Sequence, residues 1–302
     1  MSYQGSWDKR GEWLELIPGK SIAGQADREE AARQWLLETV GMPEKLYRKL
    51  RHERGIEWRG DRLRLILFPY REYGVEPVWH ELEVLYEDDF CLVANKPAGI
   101  NVHGDSTGGE ELTLNHAVAA YYQASGLHTA VRPIHRLDKD TTGPVLYAKN
   151  EYAQLKLDED MREKKIARIY AAIVQGQVQD GLTTIDLPIG KDRHHRSRRR
   201  VSLTGQQAVT HILSVERSRG VSLLRLRLET GRTHQIRVHM SHMGHPLIGD
   251  SLYGGNARPF GRQALHGERL IFAHPLTGEQ IEVLAPWPED MLQLKEDSLF
   301  LS

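Results

Sequence analysis

The sequence contains a single cysteine, Cys91, so no intrachain disulfide can brace the fold and nothing points to an oxidising compartment. Cys91 lies in the apolar run Phe90-Cys91-Leu92-Val93-Ala94, where a small core residue is expected rather than a reactive thiol. No stretch approaches the roughly 20 apolar residues of a membrane helix. Met1 to Trp13 is polar and mixed in charge, unlike a secretory signal. A cytoplasmic protein without membrane attachment is the expectation. Internal repeats, low-complexity tracts and the glycine-rich phosphate loops of dinucleotide or P-loop sites are missing too. Charge of one sign is also lacking, the net value being −1 over 302 residues.

What charge there is falls unevenly. Lys191 to Arg200 holds six Lys or Arg, two His and one Asp. A second basic region runs from Lys45 to Arg64, while acidic residues collect in the tail from Glu289 to Asp297. Positive faces on a neutral chain fit a nucleic-acid partner, against the plainer alternative of solvated surface.

Apolar spacing predicts helices over 27–52, with a break at Gly41-Met42-Pro43. Arg62 to Phe68 alternates like a strand, and Pro69 to Pro77 looks like a linker. A domain boundary is therefore expected near residue 78, separating residues 1–78 from 79–302. Beyond it, strands are predicted at 82–86, 90–94, 145–148, 167–174, 208–215, 221–228 and 281–284. Helices are predicted at 112–124, 151–165 and 233–243. In the last, Thr233 is the expected N-cap and Ile236, Met240 and Met243 the buried stripe. Strands outnumber helices without alternating strictly with them, which defines an α+β class.

Three stretches carry candidate chemistry. In His135-Arg136-Leu137-Asp138-Lys139-Asp140-Thr141-Thr142-Gly143, functional groups crowd a turn. Asp138 stands between Arg136 and Lys139, and positive neighbours keep a carboxylate ionised for work as nucleophile or base. Asp140 is expected to serve the turn itself. In Glu229 to His239, a strand ends and a helix begins, where free backbone N–H groups suit phosphate. Arg232 and Thr233 add donors there, and a partly buried Arg237 would require a carboxylate partner. Tyr170, in the strand Ala167 to Val174, reads from pattern alone as a packing residue. His239, His242 and His245 recur at three-residue spacing, but Gly244 and Pro246 interrupt a regular helix. Structural or RNA-contacting roles are favoured over a metal site.

Together these stretches resemble the RluA family of pseudouridine synthases. The motif HRLDKDTTG (135–143) has Thr142 where the family has serine, and GRTHQIRVH (231–239) matches completely. NKPAGINVH (95–103), LPIGKD (187–192) and HPLIGDSLYG (245–254) are further family segments. The likeness spans residues 80 to 288. It departs at Arg168, usually lysine, and at Gly267, usually alanine. It implies the pseudouridine-synthase fold, a mixed, largely antiparallel sheet with a central RNA-binding cleft. It also implies catalytic Asp138, a base-stacking Tyr170 and an Arg237 paired with Asp138. Residues 27–68 resemble a small S4-like RNA-binding domain, abridged between Arg54 and Gly60 and without its usual Asn-Gly-Lys hairpin.

The implied reaction isomerises uridine in RNA and needs no redox cofactor, nucleotide or metal. RNA, ribosomal or transfer, is the implied partner of a monomer. His135, Arg136, Arg232, Thr233, Gln235, Lys191, Arg196, Arg198 and Arg199 are the candidate RNA contacts. The competing readings are a non-catalytic RNA-binding module, a glycoside hydrolase using Asp138 and Asp140, and a metal enzyme on His239 and His242. The first predicts erosion at Asp138, Tyr170 or Arg237, and none is eroded.

Overall fold

A computed structural model describes residues 3–19, 22, 27–104, 111–256 and 260–299. The N-terminal unit is a four-stranded antiparallel sheet in the order β1-β2-β4-β3, with helices α1 (Arg28–Glu38) and α2 (Glu44–His52) inserted between its second and third strands. Its strands are β1 (Trp7–Arg10), β2 (Trp13–Leu16), β3 (Ile56–Arg59) and β4 (Arg62–Ile66). Asp27 caps α1 by accepting from the N–H groups of Glu29 and Glu30. The hairpin β1–β2 escapes the sequence reading because Leu14, Glu15 and Leu16 are all buried, which breaks strand alternation. Glu15 is tolerated inside by arginines: Arg62 at 2.7 Å, Arg64 at 3.1 Å and Arg10 at 3.4 Å.

Two antiparallel sheets form the larger unit. One contains β5 (Glu83–Glu87), β6 (Cys91–Lys96), β7 (Arg132–Pro133) and β8 (Gly143–Ala148) in the order β5-β6-β8-β7. The other has six strands in the order β10-β13-β14-β9-β15-β16. These are β9 (Ala167–Gln175), β10 (Thr184–Asp186), β13 (Val209–Ser218), β14 (Val221–Leu228), β15 (Leu265–Ala273) and β16 (Gln280–Leu284). A small hairpin, β11 (Ile189–Lys191) and β12 (Arg199–Val201), lies apart. Helices α3 (Leu114–Ala124), α4 (Glu151–Arg162), α5 (Gln235–His242) and α6 (Glu289–Leu299) complete the α+β architecture. Among the described residues every ladder is antiparallel, and parallel contact is confined to isolated bridges such as Thr142 to His266. No helix among the described residues is long and apolar enough to cross a membrane.

The Thr142–His266 bridge joins the two larger sheets and positions the site. Gly143 there has φ +127, and a Cβ on it would sit 2.5 Å from the Gly267 carbonyl oxygen. Only glycine satisfies both the dihedral and the approach. A Cβ on Gly267 would in turn meet Pro144 Cδ at 3.0 Å, which accounts for glycine in place of alanine by packing. The N-terminal sheet packs on the larger unit through one apolar cluster that includes Leu36, Tyr47, Phe90, Cys91, Tyr152 and Phe272. The Tyr152 hydroxyl bonds Val40 O at 3.0 Å and Pro275 O at 3.1 Å across that junction. Cys91 is fully buried, and burial pushes its thiol well up, as expected of a core residue.

Candidate active site

A cavity of about 490 Å³ opens between the loop after β7, strand β9 and the N-terminal end of α5. That volume falls within the usual range for ligand sites. Asp138, Arg168, Tyr170, Arg232, His234 and Arg237 are among its walls.

The loop bearing Asp138 is fixed from several directions. Lys96, buried at the end of β6, donates to Lys139 O at 2.7 Å, Pro97 O at 2.7 Å and Ile100 O at 2.8 Å. Burial pushes the Lys96 ammonium down to about 7, against the pull of Asp140 and Asp138. Gly99 N–H also donates to Lys139 O, at 3.1 Å. Gln263 donates to Thr141 Oγ1 at 3.2 Å, and Thr142 pairs with His266 Nδ1 at 2.8 Å. Thr141 N–H closes the turn on Asp138 O at 3.1 Å. The Asp140 side chain enters none of these bonds; its carbonyl accepts from Arg262 at 3.1 Å.

Asp138 keeps 19% of its side chain exposed, facing the cavity, with Arg237 Nη1 3.3 Å from its Oδ2. Its sequence neighbours are not its partners. Arg136 is exposed, and Lys139 pairs with Glu111 instead. The cation at Asp138 comes from α5, about a hundred residues away in sequence.

Arg237 does have the carboxylate partner its burial demands, and that partner is Asp250. Nε donates to Asp250 Oδ2 at 2.7 Å and Nη2 to Oδ1 at 2.9 Å, a bidentate pair. The Asp250 side chain is only 1% exposed. Burial alone lowers the Arg237 pKa, but the bonds and charges of Asp250 and Asp138 outweigh it and hold the guanidinium charged. Tyr253 adds its ring 5.0 Å from that guanidinium. Tyr170 projects from β9 into the same cavity. Burial raises its hydroxyl pKa; Arg168 works against that and Asp138 with it.

The α5 entry differs from expectation. Thr233 is not the N-cap; His234 is, with φ 58 and no side-chain cap bond. A non-glycine residue at positive φ is uncommon and marks a site worth reading. His234 is held there by Tyr253, whose hydroxyl lies 2.8 Å from its Nδ1. Gly244 ends the helix as expected, at φ +83. Ile236 and Met240 are buried, but Met243 is 37% exposed and leaves the stripe.

The candidate RNA contacts divide. Gln235 is buried and internally satisfied: it accepts from Arg232 N–H at 3.0 Å and Thr230 Oγ1 at 2.7 Å. It donates to Val209 O at 2.9 Å and Thr210 Oγ1 at 3.1 Å. It staples the loop to β13 and is not free for RNA. His135 is likewise a wall residue, its Nε2 accepting Leu146 N–H at 3.3 Å, with burial and then Arg168 pushing its pKa down to about 3. Arg136 and Arg232 are exposed at the cavity mouth, with Thr233 half-buried beside them. Lys191, Arg196, Arg198 and Arg199 lie on the β11–β12 hairpin, whose backbone is anchored by Arg199 N–H to the Tyr253 hydroxyl at 2.8 Å.

The basic regions are not equivalent. In the N-terminal unit, Arg48, Lys49, Arg62 and Arg64 pair with Glu44, Glu151, Glu15 and Glu57. Within 191–200, by contrast, Asp192 is the lone acid, and it accepts from His194 N–H at 3.0 Å. Of the other histidines, His239 is buried between Thr210 Oγ1 and Leu187 O, both at 2.9 Å, and His245 reaches Gln175 O at 2.9 Å. No group of three metal-ligating side chains is assembled among the described residues.

Residues 90–242 match the family of RNA pseudouridylate synthases. The chain is 45% identical over 238 residues to the RNA pseudouridine synthase YhcT of Bacillus subtilis strain 168, covering 78% of each. It is 41% identical over 249 residues to ribosomal large subunit pseudouridine synthase D of Haemophilus influenzae, covering 78% of this chain and 76% of that one. Among solved structures it is similar to human RNA pseudouridylate synthase domain containing 1. The TM-score is 0.58 and identity 28%, over 71% of this chain and 87% of that one. The protein therefore belongs to the RNA pseudouridylate synthases, enzymes that isomerise uridine within RNA. Within them it is of the RluA type.

Asp250, Tyr253, Lys96 and Arg168 are the site residues that the sequence reading did not assign. The first three stand inside the segments HPLIGDSLYG and NKPAGINVH, which carry the resemblance but announce no role. Their partners are backbone groups, His234 and a distant arginine, invisible to spacing.

Proposed function

We propose that this enzyme converts specific uridines of ribosomal RNA to pseudouridine, with Asp138 acting at the sugar, Arg237 holding it and Tyr170 stacking on the base. The observation that carries the reading is Asp138 facing a nucleotide-sized cavity, 3.3 Å from an arginine already clamped by Asp250. In that position Asp138 is held toward the cavity by Arg237, as required either to attack C1′ or to remove the C2′ proton. The N1–C1′ bond breaks, the uracil turns, and C5 bonds C1′. Unstacking the target costs about a few kcal/mol, and a ring such as Tyr170 recovers roughly 1–3 kcal/mol by stacking.

Ribosomal RNA is favoured because relatives bear the name ribosomal large subunit pseudouridine synthase D. The basic hairpin, whose cations enter no ion pair among the described residues, and the exposed Arg136 and Arg232 supply phosphate contacts at the mouth. The paired arginines of the N-terminal unit make it the weaker RNA surface, and a cytoplasmic monomer suffices for the chemistry. Pseudouridine mapping of cellular RNA with and without the protein tests the reading. Loss of signal at ribosomal positions, restored by wild type but not by Asp138→Asn, supports it; loss confined to transfer RNA overturns the substrate.

A further inference from the structure

Arg168 is a buried cation that the site as described leaves without a task. It is 8% exposed, and its Nε, shielded from solvent, has no hydrogen-bond partner among the described residues. The cavity is lined by two carboxylates, and both are engaged elsewhere: Asp138 with Arg237, and Glu229 with Lys164 and His211. Beside it lie the neutral Tyr170, two positions along the same strand face, His135, and the backbone of Gly231. A Cβ on Gly231 would lie 2.8 Å from Arg168 Nη1, so glycine there leaves the guanidinium its room. Buried charge without a counter-charge is costly. It persists in a site where a ligand completes the pair.

We infer that Arg168 is a further catalytic residue, whose guanidinium takes up the negative charge of the uracil as it leaves C1′. The inference rests on the cleavage step proposed above. When the N1–C1′ bond breaks, its electron pair departs with the ring and spreads from N1 onto O2 and O4. When C5 bonds C1′, that charge is consumed, the C5 proton is lost, and N1 gains a proton, so nothing is oxidised or reduced. A fixed donor is worth most where charge develops and water is excluded. Arg168 shares the β9 face with Tyr170, the ring proposed to carry the base, whereas the exposed Arg136 and Arg232 serve phosphates at the mouth.

The test compares uridine with 5-fluorouridine at the target position of a substrate RNA, because fluorine makes the departing ring a weaker base that needs less stabilisation. With Arg168→Gln, single-turnover loss of the parent uridine should slow on the order of 10²–10³-fold. Loss of 5-fluorouridine should slow distinctly less, and the RNA Kd should change little. Arg168→Lys should recover part of the rate, and Gly231→Ala, which displaces the guanidinium without removing it, should reproduce the same selectivity. The melting temperature of Arg168→Gln should hold or rise, since an unpaired buried charge is removed. Equal slowing on both RNAs, or a lower melting temperature with unchanged selectivity, overturns the proposal in favour of a packing role. A raised Kd at unchanged rate overturns it in favour of phosphate binding. Failure of the wild type to make pseudouridine would instead refute the function on which the inference rests.

Discussion

Replacing Asp250 tests the central electrostatic claim most directly. Its carboxylate receives two charge-assisted bonds from Arg237, at 2.7 and 2.9 Å, with almost no solvent contact. In Asp250→Ala, Arg237 remains buried, and beside the Tyr253 ring it keeps only the 3.3 Å bond to Asp138. Breaking a buried pair from one side costs about 3–5 kcal/mol. At roughly 2–4 °C per kcal/mol for a large domain, the melting temperature should fall by at least about 6 °C. The rate should fall as well, because the freed guanidinium is no longer aimed and Asp138 loses its fixed neighbour. Differential scanning calorimetry and single-turnover pseudouridine assays read the two effects. The double variant Asp250→Ala/Arg237→Met should be less destabilised than the sum of its parts, since no uncompensated charge is left. A melting temperature within about 2 °C of wild type, with full activity, would refute the clamp.

His135 is depressed to about 3 by burial, while the unfolded chain titrates near 6.5. The unfolded state thus binds the extra proton as pH falls, and stability present above pH 6.5 is lost toward pH 3. Relative to His135→Gln, wild type should lose about 1.7 kcal/mol more between pH 6.5 and 5, the unfolded imidazole being about half protonated at the upper pH; parallel urea curves at the two pH values would deny this. Lys96→Met removes a donor from three carbonyls and leaves Lys139 O only the Gly99 N–H, and should lower the rate through a loosened Asp138 loop while RNA affinity persists; an unchanged rate removes Lys96 from the support. Tyr170→Phe should keep stacking and lose only hydroxyl-dependent steps, and a wild-type rate in Tyr170→Ala would exclude the residue from the site. Removing two phosphate contacts with Lys191→Ala/Arg196→Ala should flatten the salt dependence of log K by about 1.4, at about 0.7 per contact on single-stranded RNA; an identical slope would exclude the hairpin from RNA binding.

The elements legible in the sequence are those whose buried positions are mostly apolar. Strands β9 and β14 and helix α3 follow apolar runs with clear stops, and the prediction meets them within a few residues. Hairpin β1–β2 does not, because Glu15 occupies an inward position that only three arginines from neighbouring strands make tolerable. The helix start at His234 is hidden for a similar reason. Thr233 has the right chemistry for a cap, but the Tyr253 hydroxyl and the Gln235 staple hold the chain in a turn that places His234 at positive φ instead. Tertiary partners override the local preference in both cases.

The site shows the same division in its electrostatics. Asp138 is attractive in sequence because basic residues flank it, yet neither pairs with it: Arg136 is exposed at the cavity mouth, Lys139 bonds Glu111, and the charge beside Asp138 comes from α5. Sequence proximity points to the carboxylate that faces the cavity, but through cations that do not pair with it. The reason lies in the turn: adjacent side chains on a tight loop diverge, so Lys139 leaves toward Glu111 while Asp138 enters the cavity. The arginine that reaches Asp138 must come from another element and be aimed by a third, and Asp250 supplies that aim. It follows that reversing the flanking charges should be mild and reversing the distant one severe. Lys139→Glu should leave single-turnover chemistry within a fewfold of wild type, whereas Arg237→Glu should abolish it. Comparable losses in the two variants would mean that charge along the chain, and not the clamp across the fold, sets the state of Asp138.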